Sequence, residues 1–282
     1  MRRVHLRILG FVAGVGIALG ALLAVEWARA VPRTELLVFF ERQGCVIGPA
    51  TRGAARDAGF SDADIDALAR RTRLVGRAET QRDWLVLAPE ICTIRPPAIK
   101  ATLHLGDPGL GAYFAAHFSG AGVVRPGCSL DLGATVLAAQ KQFGWDRDRA
   151  MLEATRLVGA ALVSGEMAFY SADPNIVPAG LWLMTGECAK LPAQAAIRQS
   201  HEFLMREFDS LVRFAGSVTV CEKGALTEPA LIRAKAEKLW GGQGGNAWLF
   251  AELRWIAEAA GWYGDLLARD IGTPRPPFCH YE

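Results

Sequence analysis

Six cysteines constrain this chain more than any other feature. They stand at Cys45, Cys92, Cys128, Cys188, Cys221 and Cys279, each at least 33 residues from the next. Zinc sites draw their ligands in tight pairs, and no C-x-x-C is present. The only close Cys/His pair is Cys279-His280. An even count at wide spacing reads as a set of disulfides, provided the chain folds in an oxidising compartment. No metal and no cofactor is expected.

The N-terminus speaks to the compartment. Arg2, Arg3 and Arg7 precede an 18-residue run, residues 8–25, that holds no charge. As a helix this run would span roughly 27 Å, near the ~30 Å hydrocarbon core of a bilayer. Positive charge ahead of it keeps that end in the cytoplasm, so the remainder is exported. The expectation is a single-pass inner-membrane anchor within residues 1–30, with the soluble part in the cell envelope outside the cytoplasm. The alternative is a cleaved signal. Ala28-Arg29-Ala30 has the small-x-small form of a cleavage site, but the apolar run exceeds the usual length of a signal core. Gly10/Gly14 and Gly16/Gly20 could let two anchors pack, although glycine is common in such helices anyway.

Charge excludes one class of partner. Residues 1–30 hold four arginines against Glu26, so the rest of the chain carries 27 bases and 28 acids, a net −1. Nucleic-acid binding needs a concentrated basic surface, and no nucleic-acid partner is expected. The local run Arg70-Arg71-Arg73-Arg77 reads as a solvated helix face.

Three segments, 34–104, 105–191 and 192–282, share one order of features. Each opens on an apolar stretch that leads to a cysteine, continues through helical sequence, and closes on a second cysteine near proline. The intervals between paired cysteines would be 47, 60 and 58 residues. This suggests a three-fold repeat of a disulfide-stapled helical module. Low identity between segments, and the lack of a Trp-Leu strand in the third, leave chance similarity as the alternative. A module stapled to itself implies the pairs Cys45–Cys92, Cys128–Cys188 and Cys221–Cys279. Small modules have too little core to do without a staple.

The periodicity is mainly α with short β hairpins. Ser61, followed by Asp62 and Asp64, caps a helix reaching Leu74, and Asp146 caps a second. One long helix is expected from Pro192 to about Phe214. Thr227-Glu228-Pro229 starts a helix to about Trp240, and Asn246 another that reaches toward Arg269. Strand-like pieces lie at 84–87, 91–94, 167–170, 181–184 and 217–220.

Catalytic patterns are sparse. His201-Glu202 resembles the start of a zincin helix, but position 205 is methionine. Gly127-Cys128-Ser129 is not a nucleophile elbow, and residues 241–245 lack the lysine of a phosphate loop. His104, Asp107 and His117 fit no ligand spacing. Glu90, Glu166 and Glu187 sit beside strand-like pieces and could face one another as a glycosidase pair. Trp248, Trp255 and Trp262 recur at seven-residue spacing and share a face of any continuous helix. They form either a core stripe or an aromatic surface for a partner; Gly261 and Gly264 could break the alignment. The leading expectation is therefore a membrane-anchored envelope protein that binds a protein partner or stabilises a membrane assembly. The rival is a cell-envelope hydrolase acting on glycan or peptide through carboxylates.

Overall fold

The computed structural model describes residues 34–107, 114–118, 124–170, 180–192, 194–223, 234–235, 238–239, 249–264 and 272–282. The expected membrane segment, residues 8–25, lies outside them. Among the described residues no helix is long and apolar enough to cross a membrane. Eight α-helices, short antiparallel sheets and three disulfides make up a mixed architecture among the described residues. The sheets go beyond the isolated hairpins expected from sequence.

Thr34 caps helix α1 (Glu35–Arg42), its hydroxyl accepting the Leu37 N–H at 3.3 Å. Leu36, Leu37 and Phe40 recur at helical spacing and are buried. Gly44 and Cys45 both adopt positive φ, 84° and 58°, and turn the chain into β1 (Val46–Ile47). A side chain at Gly44 would also meet Pro277, whose Cγ would lie 2.5 Å from the added carbon. Helix α2 (Pro49–Asp57) has proline in its first turn. Ser61 caps α3 (Asp62–Leu74) as expected, accepting the Asp64 N–H at 3.2 Å. Strands β2 (Ala78–Gln81) and β3 (Trp84–Leu87) complete a sheet in the order β1-β3-β2. The expected strand at 91–94 is instead a turn and extended loop.

In the middle segment, β4 (Phe114–Phe118) and β5 (Val124–Leu130) lead into α4 (Leu132–Phe143), capped by Asp131. Asp146 caps α5 (Arg147–Ser164) and accepts the Arg149 N–H at 2.8 Å. Gly144 and Gly165 close these two helices in the left-handed conformation. Strands β6 (Met167–Tyr170) and β7 (Gly180–Leu183) follow, giving a four-stranded sheet in the order β4-β5-β7-β6.

The long helix expected from Pro192 to Phe214 is two helices, α6 (Gln194–Arg206) and α7 (Phe208–Val218). They part at Glu207, whose backbone leaves helical geometry at φ −94° and ψ 14°. The bend lets α7 grip the first segment. Asp209 accepts the Ile94 N–H at 2.6 Å, and Arg213 donates to the Leu87 and Cys92 carbonyls. Because residues 217 and 218 end that helix, the strand expected at 217–220 shrinks to a bridge between Val220 and His280. Helix α8 (Leu249–Ala259) stops well short of Arg269, and β8 (Tyr263–Gly264) pairs with β9 (Thr273–Pro274). The helix expected to start near Thr227 lies largely outside the described residues.

Each disulfide closes within one of the three segments. Cys45–Cys92, Cys128–Cys188 and Cys221–Cys279 have Cα–Cα distances of 5.7, 5.5 and 5.1 Å. Closing loops of this length is worth roughly 4 kcal/mol each in the chain-entropy model. The hydrophobic interior is nonetheless continuous. Phe40 and Leu85, Trp182 and Met167, and Phe208 and Phe278 all belong to one buried cluster. A smaller cluster of Leu103, Val136, Ala139, Ala150, Ala154 and Leu157 sits between α4 and α5.

Candidate functional site

An open groove of about 430 Å³ lies between α1 and α3. Buried Leu36 and Leu68 and half-buried Phe60 give it an apolar floor, exposed Ala67 lies along its side, and the charged Glu35, Asp64 and Arg71 line its rim. The helical spacing of 64, 67, 68 and 71 puts one face of α3 along it. Phe60 is held in place by Phe39, with ring centroids 5.5 Å apart. Ser61 donates to the Asp64 carboxylate at 2.6 Å, which steadies one side of the rim. An apolar floor inside a charged rim is the arrangement that accepts an apolar anchor while the edge excludes water. Nothing in the spacing of these residues marked the groove in the sequence, because Leu36 and Phe60 come from outside α3.

The most perturbed chemistry lies in the core. His201 Nδ1 on α6 is 2.5 Å from Oε1 of Glu252 on α8, and Phe169 of β6 donates its N–H to Oε2 at 3.1 Å. Glu252 is fully buried, and burial pushes its carboxyl above the ordinary range against the opposing pull of His201 and Phe169. Glu258 is likewise raised by burial while Arg254 holds it at 2.6 Å. Burial also raises the Tyr263 hydroxyl, which lacks a hydrogen-bond partner among the described residues. Arg275 is buried beneath the Trp84 ring, donates to the Gly261 and Pro276 carbonyls, and is lowered by burial to about 10. The His201–Glu252 pair ties three elements together. It is a structural pair in this geometry: Glu252 is enclosed, and its second oxygen is occupied by backbone.

The residues singled out from sequence are dispersed. Trp262 is fully buried. Trp255 is half-buried against the main cluster, and Trp248 lies outside the described residues. Gly261, at φ 69°, ends α8, and the Trp262 N–H returns to the Ala257 carbonyl at 2.9 Å. That reversal turns Trp262 inward beside Phe208, so it serves the core and not an exposed stripe. The three carboxylates each answer to a neighbour: Glu90 to Arg77 at 3.6 Å, Glu166 to Ser164 at 2.9 Å, and Glu187 to Lys190 at 2.7 Å. The His104 N–H donates to the Asp107 carboxylate at 2.7 Å and closes a loop. The side chain of His117 and residues 241–245 lie outside the described residues. His201 pairs with a residue 51 positions away, not with its neighbour Glu202. Cys45, Cys92, Cys128, Cys188, Cys221 and Cys279 are all consumed as disulfides.

In comparisons with known proteins, no family model, no curated protein and no solved structure matches the chain.

Proposed function

We propose that the chain is an exported envelope protein, held in the membrane by residues 8–25, whose stapled domain binds a protein partner through the α1–α3 groove. The groove carries this reading, because an apolar floor of this size within a charged rim suits one or two anchoring side chains of a partner. Three disulfides are consistent with an oxidising extracytoplasmic environment. Staples confined to 34–104, 105–191 and 192–282 favour the three-fold repeat of stapled modules, each copy carrying its own cross-link. Of the described tryptophans at that spacing, Trp262 is enclosed in the core and Trp255 packs half-buried against it, so neither lines this groove.

The test is site-specific photo-crosslinking in intact membranes. A benzoylphenylalanine at Ala67, exposed along the groove, yields one discrete adduct with a second protein. The same probe at Ala196, exposed on α6, does not. Adducts with glycan alone would favour the cell-envelope hydrolase, and identical patterns from both positions would remove the groove from consideration. A reporter active only in the cytosol, fused after Glu282, stays silent if the domain is exported.

A further inference from the structure

We propose that the C-terminal half of α3, carrying Arg70, Arg73 and Leu74, rests on the anionic phospholipid headgroups of the membrane that holds the chain. This rests on the reading of residues 8–25 as an anchor.

Three observations meet at this face. The first is charge. Between Asp66 and Glu79 the chain has four arginines and no acidic residue, while residues 31–282 as a whole carry a net −1. Arg70 and Arg73 are exposed, and among the described residues neither has a carboxylate within ion-pair distance. Arg77 spends part of its charge on Glu90 at 3.6 Å. The second is apolar exposure. Leu74 is 86% exposed, the most exposed of the large hydrophobic side chains described, and it sits one turn from Arg70 on the same face. A leucine flanked by arginines matches the chemistry of an interfacial helix, in which the apolar side chain enters the headgroup boundary and the cations pair with phosphates.

The third is tether length. Eight residues separate Val25 from Thr34. Fully extended, they reach about 30 Å at most. Thr34 and Arg71 line the same groove, and Arg71 stands within one helical turn of Arg70 and Leu74, so the chain enters the domain on the side of α3 that adjoins this face. A short leash attached next to a basic, leucine-bearing face keeps that face at the bilayer at high effective concentration. The same docking would place the groove, on the adjoining face of α3, just above the headgroups and open to a partner in the same membrane.

The experiment uses the full chain reconstituted in vesicles. Flotation first establishes anchoring. Phenylglyoxal modification of Arg70 and Arg73 is then followed by mass spectrometry, with Arg198, exposed on α6, as the reference. On vesicles containing roughly a third phosphatidylglycerol, modification of Arg70 and Arg73 slows about fivefold relative to pure phosphatidylcholine. The difference disappears in about 0.5 M salt, where screening shortens to a few ångström. Leu74→Asp narrows it as well. Equal rates on both vesicles, with the chain afloat in each, overturn the docked face and leave the anchor standing. Protection that appears only in native membranes assigns the face to an acidic protein and also overturns the proposal. Failure to float with either composition removes the anchor and the docked face together.

Discussion

The first stapled segment and the centre of the molecule are held by polar contacts that differ in their access to solvent. Between Glu35 and Arg95, helix caps, a three-stranded sheet, a disulfide and the Glu41–Arg95 ion pair all close within about sixty residues of chain. Glu41 is buried, but its partner Arg95 reaches half into solvent. In the centre, α6, α8 and β6 meet at a polar tie that is enclosed, the His201 and Glu252 side chains being 10% and 0% exposed. His201 and Glu252 are 51 residues apart, and Phe169 and Glu252 are 83 apart. Gly159 of α5 sits so close to α8 that a methyl group there would come within 2.1 Å of the Ala259 Cβ. The difference teaches where the molecule is vulnerable. Half-exposed devices fail one at a time, because water satisfies what is left, whereas an enclosed polar tie leaves several groups unsatisfied when one member is lost.

Glu252→Ala is the strongest way to break the comparison. It strands the His201 ring and the Phe169 N–H in the core, and a loss of about 3–5 kcal/mol is expected by denaturant titration. A loss below about 1 kcal/mol would mean the central tie counts for no more than a surface pair. Removing both Cys45 and Cys92 as serines costs roughly 2–5 kcal/mol, with the loss confined to the first segment in hydrogen exchange. Global loss of protection would show that the first segment is not locally closed. Gly159→Ala overpacks the α5–α8 contact and is expected to cost about 1–3 kcal/mol. Ser61→Ala removes one cap hydrogen bond from α3 and costs about 1 kcal/mol.

The smallest effect separates the two regions by pH. Burial raises Glu252 above the ordinary value of 4.5, so the folded state holds that proton more tightly than the unfolded state. Its contribution is therefore complete below 4.5 and declines as pH rises through the folded-state value. Glu252→Gln removes that decline. The stability of the variant relative to the native chain should rise between pH 4.5 and 7.5 in denaturant titrations. A relative fall over that interval would reverse the assignment.

The disulfide pairs, the caps at Ser61 and Asp146, and the strands at 84–87 and 167–170 were legible in the sequence. Each depends on residue types a few positions apart, or on a repeated order of features, and local physics reads both directly. The break at Glu207 was not legible, because nothing in 192–214 forbids a continuous helix. What bends it is the use of Asp209 and Arg213 by residues 87–94, more than a hundred positions earlier. Seven-residue spacing aligned Trp262 with Trp255, but Gly261 in the left-handed conformation turned the indole into the core. The pairing of His201 with Glu252, like the groove of Leu36, Phe60 and Leu68, is a matter of which surfaces meet. Sequence alone determined the staples and the local elements. The tertiary structure decided which charges are buried and which apolar side chains stay open, because both depend on neighbours brought from distant parts of the chain.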